Sequence, residues 1–280
     1  TATLTTSALL GADSQTLYLD SEGDLLLGIG ASETTEVSGR AGLQTLANDT
    51  AAILAQRGVT SVTLDWRGTL FEGASHLSSW DAQEVGAYEG EVGPMAIDAG
   101  RTYEGANDFY SDSPARVAQV FAQTLGAAGI TATLGEAGEP PAGAAALATV
   151  SSATMGEQLR WMLAHSDNTL ADQYCRFAAR AAGAPATYEG ATSTVVSTLS
   201  AAGVPTEGLF LEDCSGLSSN DRISANTLVG VLKASYSGQG TSADTMRLLP
   251  WAGLVGTLSK RMTEEPAVGN VQAKTGALAE

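Results

Sequence analysis

The 280-residue sequence has few basic residues, few histidines and few cysteines, and each scarcity excludes a class of protein. Lysine and arginine total 14 against 31 aspartate and glutamate residues, which gives a formal net charge of -17 at pH 7. Because nucleic acids and anionic membranes are bound mainly through basic surfaces, this balance argues against both as partners. His76 and His165 stand far apart, and the 2 cysteines show no zinc-binding spacing, so no metal site is expected.

Long hydrophobic runs are also missing. Apolar stretches are short and interrupted by Gly, Ser and Thr, so we expect no transmembrane segment. The sequence begins TATLTTSALL without an initiator Met and without a signal-peptide pattern. We therefore expect any targeting segment to have been removed upstream of Thr1.

The two cysteines, Cys175 and Cys214, allow two interpretations. Both could be ordinary buried thiols, as in a cytosolic protein. However, Cys175 shares a predicted helix face with Ala171, Ala178 and Ala182, which permits close approach, and Cys214 follows the strand-like GLFLED at a turn. We favour a disulfide between them, which implies an oxidising, exported location.

The first half of the chain alternates strand and helix patterns. TLYLD and DLLLGIG flank Ser-Glu-Gly and predict a hairpin. Amphipathic helices are predicted over 40–58 and over 113–129, the second with Ser113 as its cap. The strand patterns VTSVTLDW and ITATL follow these helices, so an α/β region is expected.

The second half is predicted to begin after a Gly-, Pro- and Ala-rich run over 135–146, which is typical of a linker. Two helical patterns then meet at Ser166, Asp167 and Asn168. Further elements are predicted as helices near 192–202 and 225–235 and as strands at 208–213 and within 267–276.

Two short polar motifs carry the chemistry, Ser166-Asp167-Asn168 and, 106 residues after Asn168, Lys274-Thr275-Gly276. Taken singly, each has a structural explanation, since Asn168 could cap a helix and Lys-Thr-Gly could end a strand. Taken together, Ser-Asp-Asn and Lys-Thr-Gly accompany a Ser-x-x-Lys nucleophile in penicillin-binding proteins and β-lactamases. The pair therefore indicates a shared groove for a peptide.

Four segments occur in the order found in one family: MLAHSDNTLADQ, LEDCSGLSSNDRIS, PWAGLVGTLSKRM and VQAKTGAL. The chain resembles the low-molecular-mass (class C) penicillin-binding proteins of the D-alanyl-D-alanine carboxypeptidase/endopeptidase type, peptidase family S13. The stretches GRAGLQTLANDTAAIL and GEVGPMAIDAGR resemble that family's inserted region.

The resemblance implies an α+β fold: a serine β-lactamase/DD-peptidase-like transpeptidase domain, with an antiparallel sheet flanked by helices, over 146–280 and an inserted α/β domain over 1–145. It implies peptidoglycan stem peptides ending in D-Ala-D-Ala as substrates, β-lactams as inhibitors, no cofactor, and an exported protein that is extracellular, periplasmic or attached to the cell wall. The stretch around Asp213 and Ser215 serves the architecture.

The resemblance also implies the roles of the motif residues. Ser166, Asn168 and Lys274 are expected to be catalytic: Ser166 relays a proton to the leaving amine, Asn168 holds the preceding amide and Lys274 anchors the terminal carboxylate. Thr275, Gly276 and Ala277 are expected to bind substrate, with the Ala277 N–H facing the oxyanion.

The expected nucleophile is not in the chain. The residues three positions before Lys233, Lys260 and Lys274 are Gly, Thr and Val, so no Ser-x-x-Lys is present. We expect a sequence truncated at both ends, from a parent enzyme that carries the motif upstream. The alternatives are a β-lactamase-like hydrolase and a non-catalytic cell-wall-binding pseudoenzyme on the same fold.

Overall fold

The computed structural model of the protein describes residues 2–237 and 242–276. Backbone contacts divide the chain into two compact units. Unit 1 comprises Thr1–His76 and Ala87–Met155, and unit 2 comprises Leu77–Gly86 and Gly156–Glu280. The segment Leu77–Gly86 thus belongs to unit 2, although its neighbours in sequence belong to unit 1.

The strands of the described residues all lie in unit 1, and the helices are divided between the units. The strands are β1 Thr5–Leu10, β2 Thr16–Ser21, β3 Asp24–Leu27, β4 Ser61–Trp66, β5 Met95–Ile97, β6 Thr131–Ala137 and β7 Ala145–Ser151. The helices are α1 Leu43–Gln56, α2 Ser78–Ala82, α3 Ser113–Ala127, α4 Met155–His165, α5 Asn168–Ala181, α6 Tyr188–Ala201, α7 Ala225–Tyr236 and α8 Ser242–Leu248. Short 3-10 helices span Gly86–Tyr88, Asp98–Gly100 and Gly256–Leu258.

Unit 1 is built on a five-stranded mixed sheet with the order β6-β4-β2-β1-β7. Strands β2, β4 and β6 are parallel, while β1 is antiparallel to both β2 and β7. Residues along β1 and β2 alternate between half-buried and buried, as a period of two requires when one face is covered. The two parallel crossovers contain α1 and α3, whose apolar residues form the core of unit 1 with that face.

The predicted helices of unit 1 are confirmed. Leu43, Leu46 and Leu54 of α1 are fully buried, as are Val117 and Phe121 of α3. The cap of α3 is Asp112 rather than Ser113, because the Asp112 carboxylate accepts the N–H of Ala115 at 2.9 Å. An aspartate satisfies the unpaired N–H groups of the first turn at least as well as serine does.

The hairpin predicted around Ser-Glu-Gly is wrong. Strand β2 forms its hairpin with β1, whereas β3 pairs in parallel with β5 in a separate two-stranded sheet. All four residues of β3 are buried. A hairpin with one solvent-exposed face would alternate, so this continuous burial indicates that β3 runs through the interior of unit 1.

The Gly- and Pro-rich run predicted as a linker lies inside unit 1. It connects β6 and β7, which are the two edge strands of the same sheet. Because β7 pairs with β1, unit 1 ends at Met155 rather than at 145. The composition therefore marked an exposed loop between strands. Whether unit 1 is an insertion into the second domain stays a prediction.

Unit 2 is helical in its described part, and a disulfide joins α5 to the loop after α6. Cys175 and Cys214 are bonded, with their Cα atoms 6.3 Å apart, which confirms the predicted pairing. The reason given for it was wrong, because Ala178 and Ala182 are exposed. Cys175 instead packs on Ala179 and on Ala191 of α6.

The two strands predicted for unit 2 are not formed within the described residues. Phe210 makes one isolated bridge with Arg222, and Gln272 makes one with Trp251. A single bridge fixes an extended segment without building a ladder. Helix α8 lies in a region for which no helix or strand was predicted. The mixed sheet of unit 1 with the helices of both units confirms the α+β class.

Candidate active site

The joint between α4 and α5 is a single tight turn. Ser166 has a φ of 57°, in the left-handed region that residues with a β-carbon seldom adopt. Asp167 is the N-cap of α5, and its carboxylate accepts the N–H of Leu170 at 2.9 Å. The interpretation of Asn168 as the cap is therefore wrong, because Asn168 is already the first residue of the helix.

Lys274, near the end of the sequence, contacts the joint between α4 and α5. Lys274 Nζ donates to Ser166 Oγ at 2.6 Å, across 108 residues of sequence, and to the carbonyl oxygen of Thr275 at 2.7 Å. Partial burial lowers the pKa of Lys274 from its ordinary value of 10.5. The two motifs thus form one cluster inside unit 2, and a hydrogen bond from an ammonium to a hydroxyl can help that hydroxyl to pass on a proton.

The residues after Lys274 present polar groups to the same place. Thr275 Oγ1 donates to Thr257 Oγ1 at 2.9 Å. Gly276 is exposed, and a β-carbon built on it would meet no atom of the described residues within 4 Å. The chain's own packing therefore does not require glycine there, and the position leaves space for a ligand backbone. Ala277, predicted to offer its N–H, lies outside the described residues.

The 3-10 helix Gly256–Leu258 packs against both parts of this cluster. Gly256 has a φ of 55°, and a β-carbon there would lie 2.1 Å from the carbonyl oxygen of Ala164. The turn therefore packs directly on the end of α4, two residues before Ser166. Sequence reasoning assigned no role to Thr257, and the only signal was its place in the family-like segment PWAGLVGTLSKRM.

His165 is the last residue of α4. Its ring stacks on Trp161 with centroids 4.0 Å apart, and its Nδ1 lies 2.8 Å from the Trp161 carbonyl oxygen. A histidine bonded to its own last turn closes the helix end and interacts favourably with the helix dipole.

The loop around Asp213 is an architectural hub of unit 2. The buried Asp213 carboxylate accepts hydrogen bonds from Trp80 Nε1 and from the N–H groups of Gly216 and Ser218. Among the described residues, Ser215 Oγ has no hydrogen-bond partner. A hydroxyl without a base beside it is not an activated nucleophile, which agrees with the structural role predicted for this loop.

The described ranges contain neither a metal-binding cluster nor a membrane-spanning helix. No group of three or more His, Cys, Asp or Glu side chains is placed to hold a metal ion there. Over the same residues, every helix is too short or too polar to cross a bilayer.

Comparison with known proteins gives a consistent picture. The sequence profile of the D-Ala-D-Ala carboxypeptidase 3 (S13) family matches residues 107–280. Carboxypeptidase DacB of Mycolicibacterium smegmatis is 34% identical over 241 residues, which is 82% of this chain and 52% of that protein. The D-alanyl-D-alanine carboxypeptidase of Actinomadura sp. is 33% identical over 178 residues, which is 60% of this chain and 33% of that protein.

A solved structure shares the fold. Penicillin binding protein 4 (dacB) from Haemophilus influenzae superposes with a TM-score of 0.74 at 17% sequence identity, covering 99% of this chain and 75% of that one. The chain spans about half the length of the curated relatives it matches over most of its own length. Since the family profile covers more than half of the chain and the motifs meet in space, the chain belongs to the D-Ala-D-Ala carboxypeptidase 3 (S13) family.

Proposed function

We propose that this chain carries the substrate-anchoring part of a serine-type D-Ala-D-Ala carboxypeptidase/endopeptidase, which acts on peptidoglycan stem peptides and is inhibited by β-lactams. The observation that carries the proposal is the contact of Lys274 Nζ with Ser166 Oγ at 2.6 Å. A charged donor, a polarised hydroxyl and an adjacent amide side chain are the groups that recognition and cleavage of a terminal dipeptide need.

The terminal carboxylate of the substrate is anchored by Lys274 and Thr275. The ammonium supplies positive charge, and the Thr275 hydroxyl supplies a directed hydrogen bond. Asn168, at the start of α5, holds the amide that precedes the scissile bond. Gly276 lets the peptide backbone approach, since no side chain of the described residues fills that space. The Ala277 N–H remains the predicted donor to the oxyanion.

Cleavage proceeds through an acyl-enzyme. The oxygen of a serine nucleophile bonds to the carbonyl carbon of the penultimate D-Ala, and the C–N bond to the terminal D-Ala breaks. The serine hydroxyl loses its proton as the ester bond forms, and this proton reaches the leaving amine by way of Ser166, which Lys274 polarises. Water then hydrolyses the ester and restores the serine. The nucleophile belongs to a Ser-x-x-Lys that this 280-residue sequence does not contain, and we propose that a longer gene product supplies it.

The disulfide supports an exported location. Disulfides persist in oxidising compartments and are rare where thiols are kept reduced. Peptidoglycan lies outside the cytoplasmic membrane, so the Cys175–Cys214 bond and the proposed substrate point to the same compartment.

The alternative function is that of a cell-wall-binding protein that binds D-Ala-D-Ala without cleaving it. The two functions share the carboxylate site and differ only in covalent chemistry.

Binding is tested on the 280-residue chain with an N-acylated peptide ending in D-Ala-D-Ala, titrated by NMR. We expect Lys274→Met to weaken binding about tenfold or more, as for loss of a hydrogen bond to a charged group. The matched control is Lys260→Met, an exposed lysine in the same unit. Because the pKa of Lys274 is lowered, affinity should also fall as the pH rises toward that lowered value. Equal binding by wild type and Lys274→Met would overturn the proposal.

Catalysis is tested by covalent labelling with a fluorescent penicillin. We expect no adduct on the 280-residue chain and a stable adduct on a longer gene product that contains Ser-x-x-Lys. A longer product that binds the peptide but is never acylated would identify the wall-binding function instead. Rapid release of hydrolysed penicillin would identify a β-lactamase-like hydrolase.

A further inference from the structure

Thr257 and Thr275 form a hydroxyl pair at the edge of the proposed site. The Thr275 hydroxyl donates to Thr257 Oγ1 at 2.9 Å, between residues 18 apart in sequence. Thr257 is exposed, so the core does not require its side chain. The contact is between two side chains that both face solvent, where pairing with water would otherwise suffice.

The segments that carry the two hydroxyls are held in place by other contacts. The turn before Thr257 rests on the carbonyl of Ala164 through Gly256, and Leu258 is 1% exposed. Backbone hydrogen bonds from Ala252 N to Val271 O and from Gly253 N to Leu258 O tie the turn to the segment that leads into Lys274. The geometry of the pair is therefore set by the fold, and the hydroxyls need no further ordering to meet.

A threonine hydroxyl has one proton, and this limits what Thr275 can do alone. In the ligand-free geometry that proton is donated to Thr257. To bind a carboxylate, the Thr275 hydroxyl must turn its proton toward the ligand. Its oxygen can then accept a hydrogen bond, and the Thr257 hydroxyl stands 2.9 Å away as the donor. A hydroxyl that accepts while it donates is polarised and is a stronger donor.

We infer that Thr257 is a positioning residue for carboxylate recognition: on ligand binding its hydroxyl reverses from acceptor to donor, holds the Thr275 side chain and directs the Thr275 proton at the terminal carboxylate. This inference rests on the proposed function. Thr257 acts through Thr275 and does not touch the substrate.

The test compares two ligands on the 280-residue chain by NMR titration: the N-acylated D-Ala-D-Ala peptide and the same peptide with a C-terminal carboxamide. We expect Thr257→Val, which keeps the shape and removes the hydroxyl, to weaken the carboxylate peptide about three- to tenfold, in the range of one hydrogen bond. The carboxamide peptide should change less than twofold, because its terminus is uncharged. Thr257→Ser keeps the hydroxyl and should restore carboxylate binding.

A double-mutant cycle separates positioning from packing. If Thr257 acts through Thr275, then Thr257→Val should have little effect in a Thr275→Val background. The inference is overturned if Thr257→Val leaves carboxylate affinity unchanged, if it weakens both ligands equally, or if the two substitutions are additive. It also falls, together with the proposed function, if wild type does not prefer the carboxylate. A different result would overturn this inference alone: wild type prefers the carboxylate peptide, Lys274→Met abolishes that preference, and Thr257→Val leaves it unchanged.

Discussion

At the scale of the residue, Asp24 is a buried carboxyl group with no cation beside it in the part of the chain that the structure describes. It is 1% exposed, its Oδ1 accepts the N–H of Leu26 at 2.9 Å, and its Oδ2 has no partner among the described residues. Burial raises the pKa of Asp24 to about 7, against an ordinary 3.8. At pH values between these two pKa values, the folded protein therefore keeps a proton on Asp24 that the unfolded chain has lost.

This raised pKa predicts that Asp24 makes unit 1 less stable as the pH rises. The contribution of Asp24 to the free energy of unfolding is fully present below the pKa of the unfolded chain. It is lost at roughly 1.4 kcal/mol per pH unit as the pH rises to the pKa of the folded protein. Asp24→Asn removes this dependence. The quantity to compare is the free energy of unfolding of Asp24→Asn minus that of wild type. We expect this difference to be about 3 kcal/mol larger at pH about 8 than at pH about 5. Urea unfolding followed by circular dichroism measures this difference.

The control is Asp13→Asn, because Asp13 is an exposed carboxylate whose pKa is lowered by hydrogen bonds from the N–H groups of Gln15 and Thr16. Its contribution is lost only in acid, so its effect should be equal at both pH values. Asp221, whose pKa burial and neighbouring Asp213 raise to about 7, titrates in every variant and cancels in the difference. A pH-independent effect of Asp24→Asn would contradict the prediction.

At the scale of the element, three consecutive residues divide the work of the α4–α5 joint. Asp167 is 3% exposed and caps α5, whereas Ser166 and Asn168 are half-buried on either side of it. Capping places Asn168 in the first turn of the helix, with its backbone geometry set by Asp167. The motif thus combines a structural residue with two that we propose are functional.

This division predicts separable effects of two alanine substitutions. Asp167→Ala should lower the free energy of unfolding by about 1 to 2 kcal/mol, because it leaves the N–H of Leu170 without its cap. Asn168→Ala should lower it less, yet should weaken binding of the D-Ala-D-Ala peptide several-fold. Urea unfolding and NMR titration on the same two proteins make the comparison.

The matched control is Asn226→Ala, since Asn226 occupies the second position of α7, where Ser224 is the cap. It should leave both peptide binding and stability nearly unchanged. The division of roles is wrong if Asn168→Ala destabilises the protein more than Asp167→Ala does, or if it binds the peptide as wild type does.

At the scale of the whole molecule, the disulfide joins two parts of unit 2 that are 39 residues apart in sequence. Closing a loop of that length reduces the conformational entropy of the unfolded chain. In the loop-entropy description this raises the free energy of the unfolded chain by about 4 kcal/mol. Both cysteines belong to unit 2, and unit 1 has none. The stabilisation should therefore be confined to one of the two units.

We predict that Cys175→Ala/Cys214→Ala destabilises unit 2 by about 2 to 4 kcal/mol. Hydrogen exchange with mass spectrometry should report lost protection in α5 and α6 and unchanged protection in the β1–β2 hairpin. A thiol assay on unreduced, denatured wild type should find no free thiol. Two free thiols would show that the disulfide is not formed. Equal loss of protection in both units would contradict a stabilisation confined to unit 2.

The amino-acid sequence by itself determined the features that depend on near neighbours or on composition. The amphipathic patterns of α1 and α3 predicted both helices, because a period of 3.6 residues is a local property. The order of the four segments from MLAHSDNTLADQ to VQAKTGAL predicted the family, and the match of the family profile confirms it. Short patterns misled where local signals are equivalent: Asp112 and Ser113 cap helices equally well, and buried β3 looks the same whichever strand it pairs with.

Only the tertiary structure decided how distant segments meet. It assigned the cap to Asp167, placed the Gly-rich run inside unit 1 and brought Lys274 to within 2.6 Å of Ser166. It also paired Thr257 with Thr275, for which the sequence carries no spacing signal. The physical reason is that such contacts depend on burial and packing summed over the whole unit, and residues separated by a hundred positions leave no periodicity that could predict them.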